Sequence, residues 1–176
     1  MKVEYLLDRE VDLVLSALMP GNRLAMRVAL HTGLRIGDVL ALETRQLKPR
    51  FWITERKTGK RRQVGLSEAL LNDLKNHAGE RWVFEGRSPE KHRTRQAVWK
   101  DVKRAAKAFR LPQNVGTHSA RKVYAVELLR KYGDIDKVRR ALNHDSEATT
   151  LVYVMADRQL EAKYRSRERR NSGKRS

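Results

Sequence analysis

A mainly helical fold with one small antiparallel sheet is predicted by three observations. Apolar residues recur at helical spacing through most of the chain. One short stretch rich in β-formers interrupts that pattern. None of the 176 residues is cysteine, so neither a disulfide framework nor a thiolate metal site organises the fold.

The elements follow in order. Leu7 to Met19 places Leu7, Val11, Val14, Leu15 and Leu18 at helical spacing, with Asp8 as the expected N-cap and Pro20-Gly21 as a stop. A second helix is expected from Asn22, carrying Leu24, Val28 and Leu30, and closing at Gly33 in the position that favours glycine. A short third helix covers Ile36 to Glu43. Phe51-Trp52-Ile53-Thr54 and the run around Val64 flank the polar Lys57-Thr58-Gly59-Lys60, which reads as a β-hairpin. Ser67 caps a helix through Leu74 that closes near Gly79, and Trp82-Val83-Phe84 reads as a third short strand. Thr94 to Phe109 is helical, with Val98, Val102, Ala105 and Ala106 as its apolar face. After a loop marked by Pro112 and Gly116, a helix opens at Thr117 or His118, runs through Lys131 and ends at Gly133. Asp134 to Leu142 and Ser146 to Val154 are two further helices, and the charged residues after Asp157 are expected to lack order. Trp52, Trp82 and Trp99 are expected in the core.

Charge narrows the function classes. Lys and Arg number 39 against 21 Asp and Glu, a formal charge of +18. Such a chain repels itself unless a polyanion is near, which points to nucleic acid, with an anionic membrane surface or a ribosomal role as alternatives. The N-terminus has no apolar run of the signal-peptide kind, and no segment approaches the ~20 apolar residues that span a bilayer. The expectation is a cytoplasmic, nucleoid-associated protein without membrane contact.

Chemistry-bearing residues concentrate in a few places. His118-Ser119-Ala120-Arg121 opens a helix, and residues three apart share a face. A helix N-terminus favours anions, so the pair could hold a phosphate; a capping histidine beside a solvent-facing arginine is the bland alternative. Downstream stand Leu142-Asn143-His144, then Ser146, Thr149 and Thr150, then Tyr153. Upstream stands Thr32-Gly33-Leu34-Arg35-Ile36-Gly37-Asp38. In order and spacing, these segments resemble the two signature boxes of the tyrosine recombinases, the phage-integrase family. The resemblance runs from about Leu6 to about Tyr153.

The resemblance implies a tyrosine recombinase catalytic-domain fold and a set of roles. Arg35 and Arg121 resemble the arginines that grip the scissile phosphate. His118 resembles the histidine that assists proton transfer, and His144 the second histidine, which hydrogen-bonds the phosphate. Tyr153 resembles the nucleophile. Lys57, on the hairpin turn, resembles the lysine that protonates the leaving 5′ oxygen, with Lys60 as its rival. Asp38 resembles an acid that orients the site from behind it. Tyr5, Tyr124, Tyr132 and Tyr164 compete with Tyr153, but Tyr124 and Tyr132 read as packing residues and Tyr164 has the wrong spacing. Lys60, Arg61 and Arg62 are expected to contact DNA non-specifically. Two positions depart from the family: Asn143 stands where glycine is usual, and Lys122 where histidine is frequent. Asparagine tolerates the left-handed backbone better than most residues, so the turn at Asn143 is expected to survive.

These residue types suit the chemistry. The transition state of phosphodiester cleavage gathers charge on the non-bridging oxygens, where two arginines offer paired donors that never lose their charge. A cationic surrounding favours the phenolate of a tyrosine whose free pKa is about 10. The leaving alkoxide needs an acid, which a lysine can supply. No cofactor and no metal are expected.

The resemblance further implies double-stranded DNA as partner, a homotetramer on DNA built from monomers, and accessory DNA-bending or directionality factors. Residues 1–156 are expected to form the catalytic domain, residues 157–176 a basic tail that packs against a neighbouring protomer or lacks order, and the N-terminal core-binding domain of relatives is expected to be absent. Site-specific recombination leads. The alternatives are a non-catalytic DNA-binding protein or prophage remnant, and relaxation of the type IB topoisomerase kind.

Overall fold

A computed structural model describes residues 6–112 and 114–143. The chain divides into two compact units, residues 1–124 and 125–176. The first contains α1 (Asp8–Ala17), α2 (Pro20–Thr32), α3 (Ile36–Leu40), strands β1 (Arg50–Thr54) and β2 (Arg61–Gly65), α4 (Glu68–His77), α5 (Arg95–Ala108) and the start of α6 (Thr117–Tyr132). The second contains the rest of α6 and α7 (Ile135–Ala141). The helix expected over 146–154 lies outside the described residues.

Several helix ends follow from local chemistry. Ser67 Oγ accepts the Leu70 N–H and opens α4; Thr94 Oγ1 accepts the Ala97 N–H and opens α5. Asp134 Oδ1 accepts the Lys137 N–H at the start of α7. Gly33 closes α2 at φ 67°, the left-handed conformation that glycine adopts without strain. Asn143 sits at φ 51°, so asparagine does serve a left-handed turn there.

Two starts differ from expectation. Asp8 is the first helical residue of α1 rather than its cap; Leu7 precedes it, and the Leu7 N–H is taken by Glu10 Oε2 at 2.9 Å. Pro20-Gly21 opens α2 instead of stopping α1. Proline at a first helical position gives up no hydrogen bond, and its fixed φ suits the turn. The adjacent Met19 N–H is accepted by Asp101 Oδ2 at 2.8 Å.

Asp101, on α5, ties that helix to the start of α2. Its Oδ2 also accepts Asn22 Nδ2 at 2.8 Å, and its Oδ1 accepts Arg104 Nη2 at 2.6 Å. Burial pushes this carboxyl up, but the bonds from Asn22, Arg104 and the Met19 amide outweigh it and hold the group below its usual range. Around this polar bolt α1 packs on α2 and α5, α2 on α3 and α4, and α3 on α5. Val28, Val39, Leu40, Leu42, Leu74, Val83, Phe84, Val98 and Val102 form the buried centre.

β1 and β2 pair antiparallel, with Phe51 opposite Val64 and Ile53 opposite Arg62. Alternation buries Phe51, Ile53 and Val64 and turns Arg50, Trp52 and Thr54 outward. The strand expected at Trp82-Val83-Phe84 is only an isolated bridge, Glu43 to Trp82. The chain turns there instead, and the Phe84 carbonyl accepts the Arg93 N–H. Two tryptophans also leave the expected core. Trp52 is 56% exposed and Trp99 47% exposed. Trp52 lies on the outer face of the hairpin, with the Arg61 guanidinium 5.4 Å from its ring centre.

Candidate active site

Arg35 occupies the residue just before α3, two positions after Gly33. A Cβ at Gly33 would lie 2.3 Å from the Tyr124 ring, so only glycine lets α6 approach so closely. Tyr124 is thus a packing residue, in keeping with its place within a helix. On α6, Arg121 is only 1% exposed and its Nη1 donates to the Gly33 carbonyl at 2.6 Å. The solvent-facing reading of Arg121 is therefore wrong.

The hairpin turn is fixed from both sides. The Glu55 N–H donates to the Lys60 carbonyl at 3.0 Å, and the Gly59 N–H to the Glu55 carbonyl at 2.8 Å. Asp38 Oδ1 accepts the Arg56 N–H at 3.0 Å, tying α3 to the turn. In the opposite sense, Arg35 Nη1 donates to Glu55 Oε2. Two bonds of opposite direction thus hold the α3 start to the turn that carries Lys57.

These elements enclose an open cleft of about 830 Å³. Arg35, Asp38, Lys57, His118 and Arg121 all line it. Lys60 is not among its lining residues. Lys60 and Arg61 are exposed, whereas Arg62 turns inward. It shares the inner face with Ile53 and Val64, donates through Nη2 to the Thr32 carbonyl, and places Nε 3.8 Å from Glu55 Oε1. Of the three basic residues expected to reach DNA, Arg62 is thus a part of the fold's interior; burial also lowers its pKa. His144 and Tyr153 lie outside the described residues.

His118 is held low, to about 4, first by burial and then by Arg121, Lys122, Arg35 and Lys57. The imidazole is therefore neutral at physiological pH, with one ring nitrogen able to accept a proton.

Some cleft residues escaped the sequence reading. Arg56 follows Glu55 on the turn, and Arg95, Gln96 and Trp99 share the first turns of α5. Their spacing of three and four residues behind the Thr94 cap was the available signal. Glu55 escaped too. It is fully buried, although its Glu-Arg-Lys-Thr-Gly setting reads as a solvated turn. Among the described residues no group of three His, Cys, Asp or Glu is placed to hold a metal ion.

A cleft lined by Arg35, Arg56, Lys57, Arg95 and Arg121 is strongly cationic and suits an anion such as phosphate, and the neutral histidine among them can accept a proton. That combination, on a helical scaffold with one hairpin, fits a protein with a phosphate-bearing ligand. The chain belongs to the phage integrase family, whose model matches residues 4–159. It is 30% identical over 134 residues to the probable integrase/recombinase YoeC of Bacillus subtilis, covering 73% of this chain and 74% of that one. It is 28% identical over 162 residues to a tyrosine recombinase of Thermosipho africanus, covering 86% and 56%.

Solved structures share the fold. The catalytic domain of bacteriophage HP1 integrase matches with a TM-score of 0.67 at 21% identity, over 88% of this chain and 89% of that one. The XerH site-specific recombinase, in a post-cleavage complex with palindromic difH substrate, matches with a TM-score of 0.69 at 24% identity, over 85% and 48%. The chain thus spans about half the length of several proteins it matches. Among the described residues no helix is long and apolar enough to cross a membrane.

Proposed function

We propose that this chain is the catalytic part of a site-specific recombinase that cuts and rejoins double-stranded DNA through a 3′-phosphotyrosine. The observation that carries the reading is the convergence of Arg35, Lys57, His118 and Arg121, from three separate segments, on one cleft. The XerH site-specific recombinase, a protein of the same fold, was captured bound to its palindromic difH substrate in a post-cleavage complex.

The step balances with these groups alone. The Tyr153 phenolate oxygen attacks phosphorus, a new O–P bond forms, and the bond from phosphorus to the 5′ oxygen breaks. Lys57 supplies the proton that the departing oxygen takes up. Neutral His118 accepts the phenolic proton. Arg35 and Arg121 hold the non-bridging oxygens, where each preorganised donor contributes about 3 kcal/mol. His144 adds a further hydrogen bond to the phosphate. Asp38 acts from behind, holding the Arg56 amide and so the turn that bears Lys57. The ester conserves the bond's energy, and attack by a 5′ hydroxyl reverses each transfer.

Residues 1–156 act as the catalytic unit and residues 157–176 as a basic tail. Four protomers, monomeric when free, hold two DNA sites, assisted by accessory DNA-bending or directionality factors. The work is done at the nucleoid, in the cytoplasm. The test mixes two differently labelled duplexes that carry candidate sites. Strands joined across the two labels support recombination; relaxed supercoils without joined strands replace it with relaxation of the topoisomerase kind.

A further inference from the structure

Glu55 is a carboxylate inside a site built for an anion. It is fully buried, two residues from Lys57. Its Oε2 accepts from Arg35 Nη1 and from Thr58 Oγ1, the latter at 3.1 Å. Its Oε1 has no hydrogen-bond partner among the described residues and lies 3.8 Å from Arg62 Nε.

A negative charge here opposes phosphate binding. The cleft would attract DNA more strongly with a neutral residue in its place. Stability is also a weak reason to keep it, because desolvating a buried ion pair offsets much of its attraction. What the charge does supply is direction. A charge-assisted bond is short and orients the guanidinium, and it engages one of three nitrogens, so donors remain for a phosphate. The same oxygen grips Thr58, the residue next to Lys57. One carboxylate oxygen therefore links the arginine to the turn that carries the lysine, from positions 20 residues apart in sequence.

We propose that Glu55 is a positioning residue, which sets the Arg35 guanidinium and the Lys57 turn in a common geometry for the scissile phosphate. The inference rests on the strand-cleavage reading above. Its signature is a split between affinity and rate. Loss of the charge leaves DNA binding as tight or tighter, while cleavage slows, because a misplacement of about 1 Å at a reacting centre is worth up to about a hundredfold in rate.

The test uses the whole chain and a pool of nicked duplexes that trap the covalent product. Dissociation constants and single-turnover cleavage rates are measured for the parent, Glu55→Gln and Glu55→Asp. Glu55→Asp keeps the charge that compensates Arg62 and so guards against loss of folding; it shortens the reach by one methylene. The expected result is cleavage slowed about 10- to 100-fold in Glu55→Gln and in Glu55→Asp, with affinity unchanged or raised in Glu55→Gln. Adding Glu55→Gln to Arg35→Ala slows cleavage by a smaller factor than Glu55→Gln does alone, because part of its effect runs through the bond to Arg35. Parental cleavage with equal rates in both folded variants, or independent effects of Glu55→Gln and Arg35→Ala, overturns the inference alone. No covalent product from the parent overturns the strand-cleavage reading, and this inference falls with it.

Discussion

The Arg121 guanidinium donates to the Gly33 carbonyl at 2.6 Å, two residues before Arg35. The two arginines read as phosphate ligands thus share one backbone support, the left-handed turn that closes α2. Gly33 carries that turn at φ 67°, with Tyr124 where a side chain would go. Gly33→Ala is therefore expected to destabilise the protein by about 2–4 kcal/mol, from left-handed strain and overpacking together. Denaturant titration measures it; a loss below about 1 kcal/mol would mean that Tyr124 yields freely.

His118 titrates well below an ordinary histidine. Its folded value, about 4, lies under the free value of 6.5. Between these values the unfolded chain binds a proton that the folded chain does not, so stability is full above pH 6.5 and falls as pH drops toward 4. Proton NMR of the imidazole should show a midpoint near 4, and His118→Gln should flatten the stability profile over that window. A midpoint between 6 and 7 would contradict the cationic burial of the ring.

Asp38 holds the Arg56 amide through one buried oxygen. Asp38→Ala leaves that N–H without its acceptor and releases the turn from α3. The expected cost is about 1–3 kcal/mol of stability, seen in thermal unfolding. Cleavage is expected to slow at least tenfold per folded molecule, since Lys57 is carried on the released turn. Unchanged cleavage would detach Asp38 from the site.

Arg95 lines the same cleft from the first turn of α5. Arg95→Ala is expected to weaken DNA binding evenly across sequences and to reduce the slope of log affinity against log salt by about 1. Fluorescence titrations at several salt concentrations read both. An unchanged slope would place Arg95 off the DNA.

How much of this was legible in the sequence depends on the range of each interaction. Caps at Ser67, Thr94 and Asp134 were legible because a side chain meets an amide three residues away. The hairpin was legible because β-formers flank a glycine turn, and Gly33 because a helix closing in the left-handed region has few substitutes. Pro20 was misread because proline both ends and begins helices, and the Asp101 carboxylate that welcomes it comes from far along the chain. Glu55 and Arg62 looked like solvated turn and strand charges. Their burial depends on a face covered by elements remote in sequence, although alternation from Val64 already assigned Arg62 to the inner face. Trp52 follows the same rule outward. For the site, grouping by motif did place Arg35, Asp38, Lys57, His118 and Arg121 around one cleft, while Arg56, Arg95, Gln96 and Trp99 carry no motif and emerge only in three dimensions.

Strand cleavage, as proposed, forms a covalent bond between DNA and Tyr153. The most direct measurement incubates the protein, and a Tyr153→Phe variant, with suicide duplexes nicked near the cleavage point, and looks for a covalent adduct on a denaturing gel. The expected result is an adduct with the parent and none with Tyr153→Phe. An adduct that persists in Tyr153→Phe, or none with either protein despite tight DNA binding, would contradict it.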